Sequence, residues 1–434
     1  MTMSFAVTKS SPPELVLPSK PTPAGDIPLT STDKSRLFLS FTSLKVFERP
    51  IHSPAKTIRR ALSQALVYYY PFAGRVATGT GSDGDVHIAC TGEGVAFASA
   101  TASCSLQDVR FLHTPPAIPL EELALRYGAG RLSMTSPLLM MQVTEFACGG
   151  YVVAVTWNHG IADGYGLAQF MQAVSELTRG LPSPTNVVPV RHDESLPDIP
   201  QLISAVQRRS PVGFELKHVD FGYTDVTIPW SFINRVKGEF RSRYVGGGVE
   251  SSCTTFEVVT AAIWRCRTRA INSKPDVPAP LMFTVNVRKH VGCKDGYYGN
   301  CLSSQLVEAT ADAVANGAIV DIVRWIKDTK GRVQESLRRS EGEMELSDEV
   351  VAVLHGGYNM LCLTSWGRIG MDAVDFGGGR PARVVPNMER TVLPSCFTCL
   401  PCSTNDHGGG VNVVAFCVTE DHIEQFHSEL AELR

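Results

Sequence analysis

The eight residues from Tyr151 to Asn158 are apolar at nearly every position. A strand with one wet face alternates apolar and polar side chains, whereas a strand covered on both faces does not. The run is also far shorter than the roughly 20 apolar residues that cross a bilayer. A chain containing it must supply cover on each side, from helices or from a second sheet. The 434 residues are enough for this. At about 100–200 residues per domain they predict two domains, or one two-lobed unit, with a cleft as the natural ligand site.

The rest of the pattern agrees. Prolines at 12, 13, 18, 21 and 23 fix an extended first segment, because proline lacks a donor and biases its predecessor toward β geometry. Ile58, Ala61, Leu62, Ala65 and Leu66 recur at helical spacing, predicting a helix over 55–69 that Pro71 stops. Strands are expected at 85–89 and 138–146, and a helix over 164–178 that ends at Gly180. Residues 181–212 are proline-rich and aperiodic, a candidate linker between an N-terminal domain (1–180) and a C-terminal one (213–434). Beyond it, elements are expected at 214–221, 230–240, 255–269, 282–287, 364–366 and 411–418, with a closing helix at 420–433. The fold class is α/β with mixed sheets (α+β).

Forty basic against 43 acidic residues leave a formal charge of −3. Without a basic block there is no footprint for a phosphate backbone, so nucleic acid is not an expected partner. The first 17 residues include Lys9 and Glu14 and lack an apolar h-region. A cytoplasmic protein, not membrane-bound, is the expectation. Twelve scattered cysteines fit a reducing compartment. Cys396, Cys399 and Cys402, with His407 behind them, have the spacing of a metal site, but their apolar setting favours inert thiols, and no metal is expected.

The chemistry concentrates at His159, directly after the buried strand and followed by Gly160. A histidine held at a strand end, with a glycine letting substrate approach the backbone, can serve as a base. Imidazole titrates near neutral pH and can take a proton from a hydroxyl or amine. Asp163 either pairs with that ring or caps the helix starting at Gly164.

His159 to Asp163 forms an HxxxD element. It is accompanied by Tyr70-Pro71-Phe72-Ala73-Gly74-Arg75, Phe256-Glu257-Val258, Asn286-Val287-Arg288, Tyr297-Tyr298-Gly299-Asn300 and Asp375-Phe376-Gly377-Gly378-Gly379. In this order and approximate spacing, the set resembles the landmarks of the plant BAHD acyltransferases. The resemblance implies a two-domain, coenzyme A dependent acyltransferase fold like that of chloramphenicol acetyltransferase, with a channel between the domains. It implies His159 as general base without a covalent acyl enzyme, and Asp163 as a structural residue paired with Arg288. Asp375 and Gly377 would give structural support. Gly378 replaces the family's usual tryptophan, which suggests a wider acceptor pocket, and Arg368 is a further acceptor candidate.

The implied partners are an acyl-CoA donor, as co-substrate with no permanently bound cofactor, and a small amine or alcohol acceptor; the protein is expected to be a monomer. The segment 14–23 is similar to the branch with benzoyl and hydroxycinnamoyl transferases, so an aromatic acyl group is expected. The acidic residues Glu341, Glu343, Glu345, Asp348 and Glu349 would attract a polycation such as spermidine, or else form a solvated face. A hydrolase and a non-catalytic relative are the alternatives; no G-x-S-x-G elbow is present to support the first.

Overall fold

The computed structural model describes residues 5–79, 85–113, 116–128, 132–185, 187–202, 218–244, 252–339, 348, 351–352, 357–388, 392–400 and 409–433. The apolar run forms the strand Tyr151–Asn158, buried at every position. It lies between Leu139–Phe146 and Ser40–Phe47 in a seven-stranded sheet. One face packs on the helices Pro54–Tyr68 and Gly164–Thr178, the other on the residues around Leu106, Leu112 and Leu123. Ile58, Ala61, Leu62, Ala65 and Leu66 are all buried, as their spacing requires.

A second sheet of six strands runs in the order Tyr223–Pro229, Gly410–Phe416, Ser395–Cys399, Leu361–Ser365, Leu281–Asn286, Leu302–Val307. Its outer face packs on Trp230–Arg243, Thr255–Ile271, Ile319–Gly331 and Glu420–Ala431. The long helix Thr255–Ile271 opens with a capping box, Thr254 and Glu257 exchanging side-chain-to-backbone bonds. The inner face of this sheet meets the first, and Phe397, Cys399, Val414 and Phe416 join the first sheet's core. The fold is mixed α/β, and among the described residues no helix is long and apolar enough to cross a membrane.

Three expectations change. The element predicted at 214–221 lies partly outside the described residues, and 218–221 form no regular element. The strand nearby is Tyr223–Pro229, where Thr224, Asp225 and Thr227 obscure its pattern. The segment 181–212 is not a loose spacer where it is described: Arg191, Asp193 and Gln201 are buried, and Val190 pairs with Tyr297. The C-terminal half is also not self-contained. The strand Arg383–Asn387 pairs antiparallel with Ser40–Phe47, and Phe376 packs on Phe47, so Asp375 to Gly379 sits against the first sheet.

One core residue is out of character. Lys45, on the strand Ser40–Phe47, is fully buried, and its Nζ makes one described bond, to Ser43 Oγ at 3.0 Å. Burial pushes its ammonium down to about 7. An unfolded lysine holds its proton to about pH 10.4, so between those values the unfolded chain binds more protons and stability rises with pH. Lys45→Met is expected to stabilise the protein by about 1 to 4 kcal/mol at neutral pH. Melting curves from pH 6.5 to 9.5 should show the gain shrinking as pH rises; a constant difference would mean the lysine charge is not its source.

Candidate active site

The strand Tyr151–Asn158 delivers His159 to the boundary between the two sheets, and the backbone there is held on both sides. The His159 N–H donates to Leu39 O at 2.8 Å, and its carbonyl accepts from Asn300 Nδ2 at 2.7 Å. Gly160 must be glycine: a Cβ at this position would lie 2.7 Å from Leu37 Cα. The Phe41 ring meets the imidazole edge-on at 5.0 Å, and Trp157 lies roughly parallel to it at 6.2 Å. Trp157 is itself fixed by its Nε1–H, which donates to Ala162 O at 2.9 Å.

His159 Nδ1 is buried and bonded to no other described residue, which leaves Nε2 as the nitrogen facing the cavity. Burial first, and then the Arg36 charge, push the imidazole down to about 4. Asp163, Asn300 and the residue's own carbonyl oppose the shift without overcoming it. The ring is therefore neutral at neutral pH, with a lone pair able to accept a proton.

Asp163 does not reach the ring's outer nitrogen. It caps the helix Gly164–Thr178 by accepting from Gly166 N at 2.9 Å, and it accepts from Cys301 N at 3.1 Å. Arg288 holds it bidentately, Nη1 to Oδ2 at 2.8 Å and Nη2 to Oδ1 at 2.9 Å. Burial would raise this carboxyl, but the Arg288 charge and these bonds outweigh it and hold the group below its ordinary range. Both local readings of Asp163, ring partner and cap, are thus answered in favour of the cap.

A second buried cluster had no assigned role in the sequence reading. Asp33 accepts from Asn300 N at 3.1 Å and Nδ2 at 2.9 Å, and pairs with Arg191 at 3.0 Å. Arg191 also donates to Gly160 O at 3.1 Å. Asn300 thereby ties the segment before the strand Ser40–Phe47 to the His159 carbonyl. The one local signal was the Thr30-to-Asp33 capping box.

The cavity at His159 has a volume of about 510 Å³. Its walls come from residues 35–41, from Trp157 and Trp366, and from the inner face of the second sheet. Neither Gly378 nor Arg368 lines it, which corrects the expectation that they shape an acceptor pocket. A Cβ on Gly378 would stand 2.8 Å from Arg49 O, so this glycine faces the turn after the strand Ser40–Phe47. Arg368 is exposed. Asp375 organises that turn, accepting from Gly377 N at 2.7 Å and Gly379 N at 2.9 Å with both glycines at positive φ. Arg179 lies 3.8 Å from it.

Cys396 and Cys399 are buried on the strand Ser395–Cys399 and belong to different cores, as residues three apart on a strand face opposite sides. Cys402 and His407 lie outside the described residues, as do Glu341, Glu343, Glu345 and Glu349; Asp348 is exposed.

Residues 5–433 match the model of the Transferase family. Acyl transferase 15 of Oryza sativa subsp. japonica is 40% identical over 450 residues, covering 100% of this chain and 99% of the relative. Myricetin 3-O-glucosyl 1,2-rhamnoside 6'-O-caffeoyltransferase AT1 of Crocosmia x crocosmiiflora is 37% identical, covering 99% of each. The fold is similar to that of F. sporotrichioides TRI101 complexed with coenzyme A and T-2, with a TM-score of 0.68 at 17% identity, covering 94% of this chain and 98% of that one. A family model matched almost end to end, and full-length relatives above 30% identity, make this chain a member of the Transferase family, the BAHD acyltransferases.

Proposed function

We propose that the protein transfers an aromatic acyl group from coenzyme A to a small acceptor, with His159 as general base. The observation that carries this reading is the neutral imidazole whose Nε2 faces a cavity shared by the two sheets. His159 Nε2 takes the proton of an acceptor hydroxyl or amine as its oxygen or nitrogen attacks the thioester carbonyl. The tetrahedral intermediate collapses by breaking the carbon–sulfur bond, and the imidazolium returns the proton to the departing thiolate. The chain's own groups hold the base and leave the ring uncharged. The aromatic walls and the caffeoyl donor implied by a relative's name both support an aromatic acyl group.

Release of free thiol from caffeoyl, p-coumaroyl, benzoyl and acetyl donors, with and without acceptor, tests the reading. Release that requires acceptor is expected, with a mass-identified ester or amide. Release without acceptor would replace transfer by hydrolysis, and ligand binding without any turnover would mark a non-catalytic relative. The acid limb of kcat/KM is expected between about pH 4 and 5, since the free-enzyme ring stays neutral down to about 4. A limb at the ordinary imidazole value, about 6.5, would mean that the base is not this buried ring.

A further inference from the structure

Across the second sheet, three neighbouring strands place hydroxyl side chains in one row on the face that lines the cavity. Ser304 and Thr284 stand directly opposite each other in register. The Thr284 hydroxyl donates to Thr364 Oγ1 at 3.2 Å, and Thr364 stands opposite Phe397 on the next strand. All four residues line the cavity. On the same face the positions two before these residues are Met282, Leu302 and Cys362, and the position two after Thr284 is Asn286, opposite Leu302. The row is thus a polar band across the floor, to which Asn286 and Ser395 on the same face add further uncharged polar groups, and it faces the aromatic rings of Phe41, Trp157 and Trp366.

Such a band has a cost when a ligand displaces its water, unless the ligand replaces the hydrogen bonds. A hydroxyl both donates and accepts, so a row of them matches another set of hydroxyls and gives no preference to charge. The charge around the row is also informative. Among the described lining residues there is no carboxylate, and the one permanently charged side chain is Arg36. Its Nη1 bonds Thr32 O, Ser35 Oγ and Gln201 Oε1, which fixes a positive charge at the cavity wall. A polyamine would bring two or more ammonium groups against that charge and find no carboxylate to pair with.

We propose that the acceptor is an uncharged polyhydroxylated molecule of glycoside type, its hydroxyls read by Ser304, Thr284 and Thr364 and its apolar face laid against the aromatic wall. This rests on the acyl-transfer reading and adds the class of acceptor and the residues that select it. The sugar hydroxyl that reacts is the one the row leaves pointing at His159 Nε2, and the others are held by the row.

The test uses the full-length enzyme with caffeoyl-CoA and three acceptors: quercetin 3-O-glucoside, quercetin and spermidine. The wild type is expected to favour the glucoside over the aglycone and over spermidine. Thr284→Val and Thr364→Val keep shape and strand preference, and Ser304→Ala removes one oxygen. Each is expected to raise KM for the glucoside roughly tenfold, the size of one lost hydrogen bond, with an unchanged KM for caffeoyl-CoA and an unchanged melting temperature. Preferential turnover of spermidine, or variants that raise KM for caffeoyl-CoA and leave the glucoside's alone, would overturn the assignment of the row while leaving acyl transfer intact. Absence of thiol release with every acceptor would overturn the transfer reading itself.

Discussion

His159→Ala is expected to lower kcat by about 10²- to 10⁴-fold, the usual contribution of a positioned general base, without unfolding the protein. The two halves of this expectation have separate causes. Catalysis is lost because no other described group in the lining is poised to take the acceptor's proton: it holds hydroxyls, amides, a guanidinium and the Cys362 and Cys396 thiols, which burial keeps protonated, and no carboxylate among the described residues. The fold survives because the residue's structural bonds come from its backbone, through Leu39 O and Asn300 Nδ2, and alanine retains both. The side chain gives up ring contacts with Phe41 and Trp157 and no formed hydrogen bond to another described residue. Acceptor-dependent thiol release and a melting curve on the same preparation check both halves. Full activity in the variant would remove His159 from the mechanism; a collapsed melting curve would instead make the ring a core residue.

Arg288→Met is expected to act in the opposite order, on stability first, by about 3 to 5 kcal/mol. Asp163 is fully buried and would keep two backbone donors, from Gly166 and Cys301, but lose the guanidinium that pairs with it. The pH dependence follows from the sign of the shift. In the wild type the Asp163 carboxyl is held low, so its stabilisation is complete above the unfolded value near 3.9 and is lost as pH falls below it. Without Arg288, burial is left to dominate and raises the carboxyl. The variant should then recover part of its deficit as pH is lowered and the group takes up a proton. Denaturant titrations at pH 5 and pH 8 measure this: a deficit smaller at pH 5 is the expected result, and an equal deficit would mean that lost packing, not an unpaired charge, is responsible. Asp163→Asn retains a helix cap and is expected to lose activity in step with stability. Were it thermally normal and inactive, Asp163 would have a direct chemical role after all.

How much of this was readable beforehand varied with distance along the chain. The strand Tyr151–Asn158 and the helix Gly164–Thr178 have the bounds that periodicity and capping indicate, because a buried apolar run and an Asp–Gly boundary are local signals. The Asp163 pairing with Arg288 was accessible through family resemblance alone, since 125 residues separate the two. The Asp33, Arg191 and Asn300 cluster was not legible as a cluster, because its members come from three distant segments and only Asn300, within a landmark element, stands out where it is. Gly378 misled for a different reason. A missing large side chain was visible in the sequence, but which surface it would have faced depends on the turn packing against Arg49. The row of Ser304, Thr284 and Thr364 depends on register between strands that adjoin only in the folded sheet.

The pairing of Arg383–Asn387 with Ser40–Phe47 also governs how the chain can be made. During synthesis the strand Ser40–Phe47 gains its inner neighbour, Tyr151–Asn158, early, but its outer edge stays bare until about 340 more residues have been added. At 5 to 20 residues per second the ribosome needs roughly 20 to 70 s for that stretch. For that time a nascent chain presents an unpaired strand edge, the surface through which chains join to one another. Cleavage within residues 181–212 should therefore not release two separately soluble pieces. The N-terminal fragment would retain the open edge, and the C-terminal fragment would carry a strand with no sheet to enter.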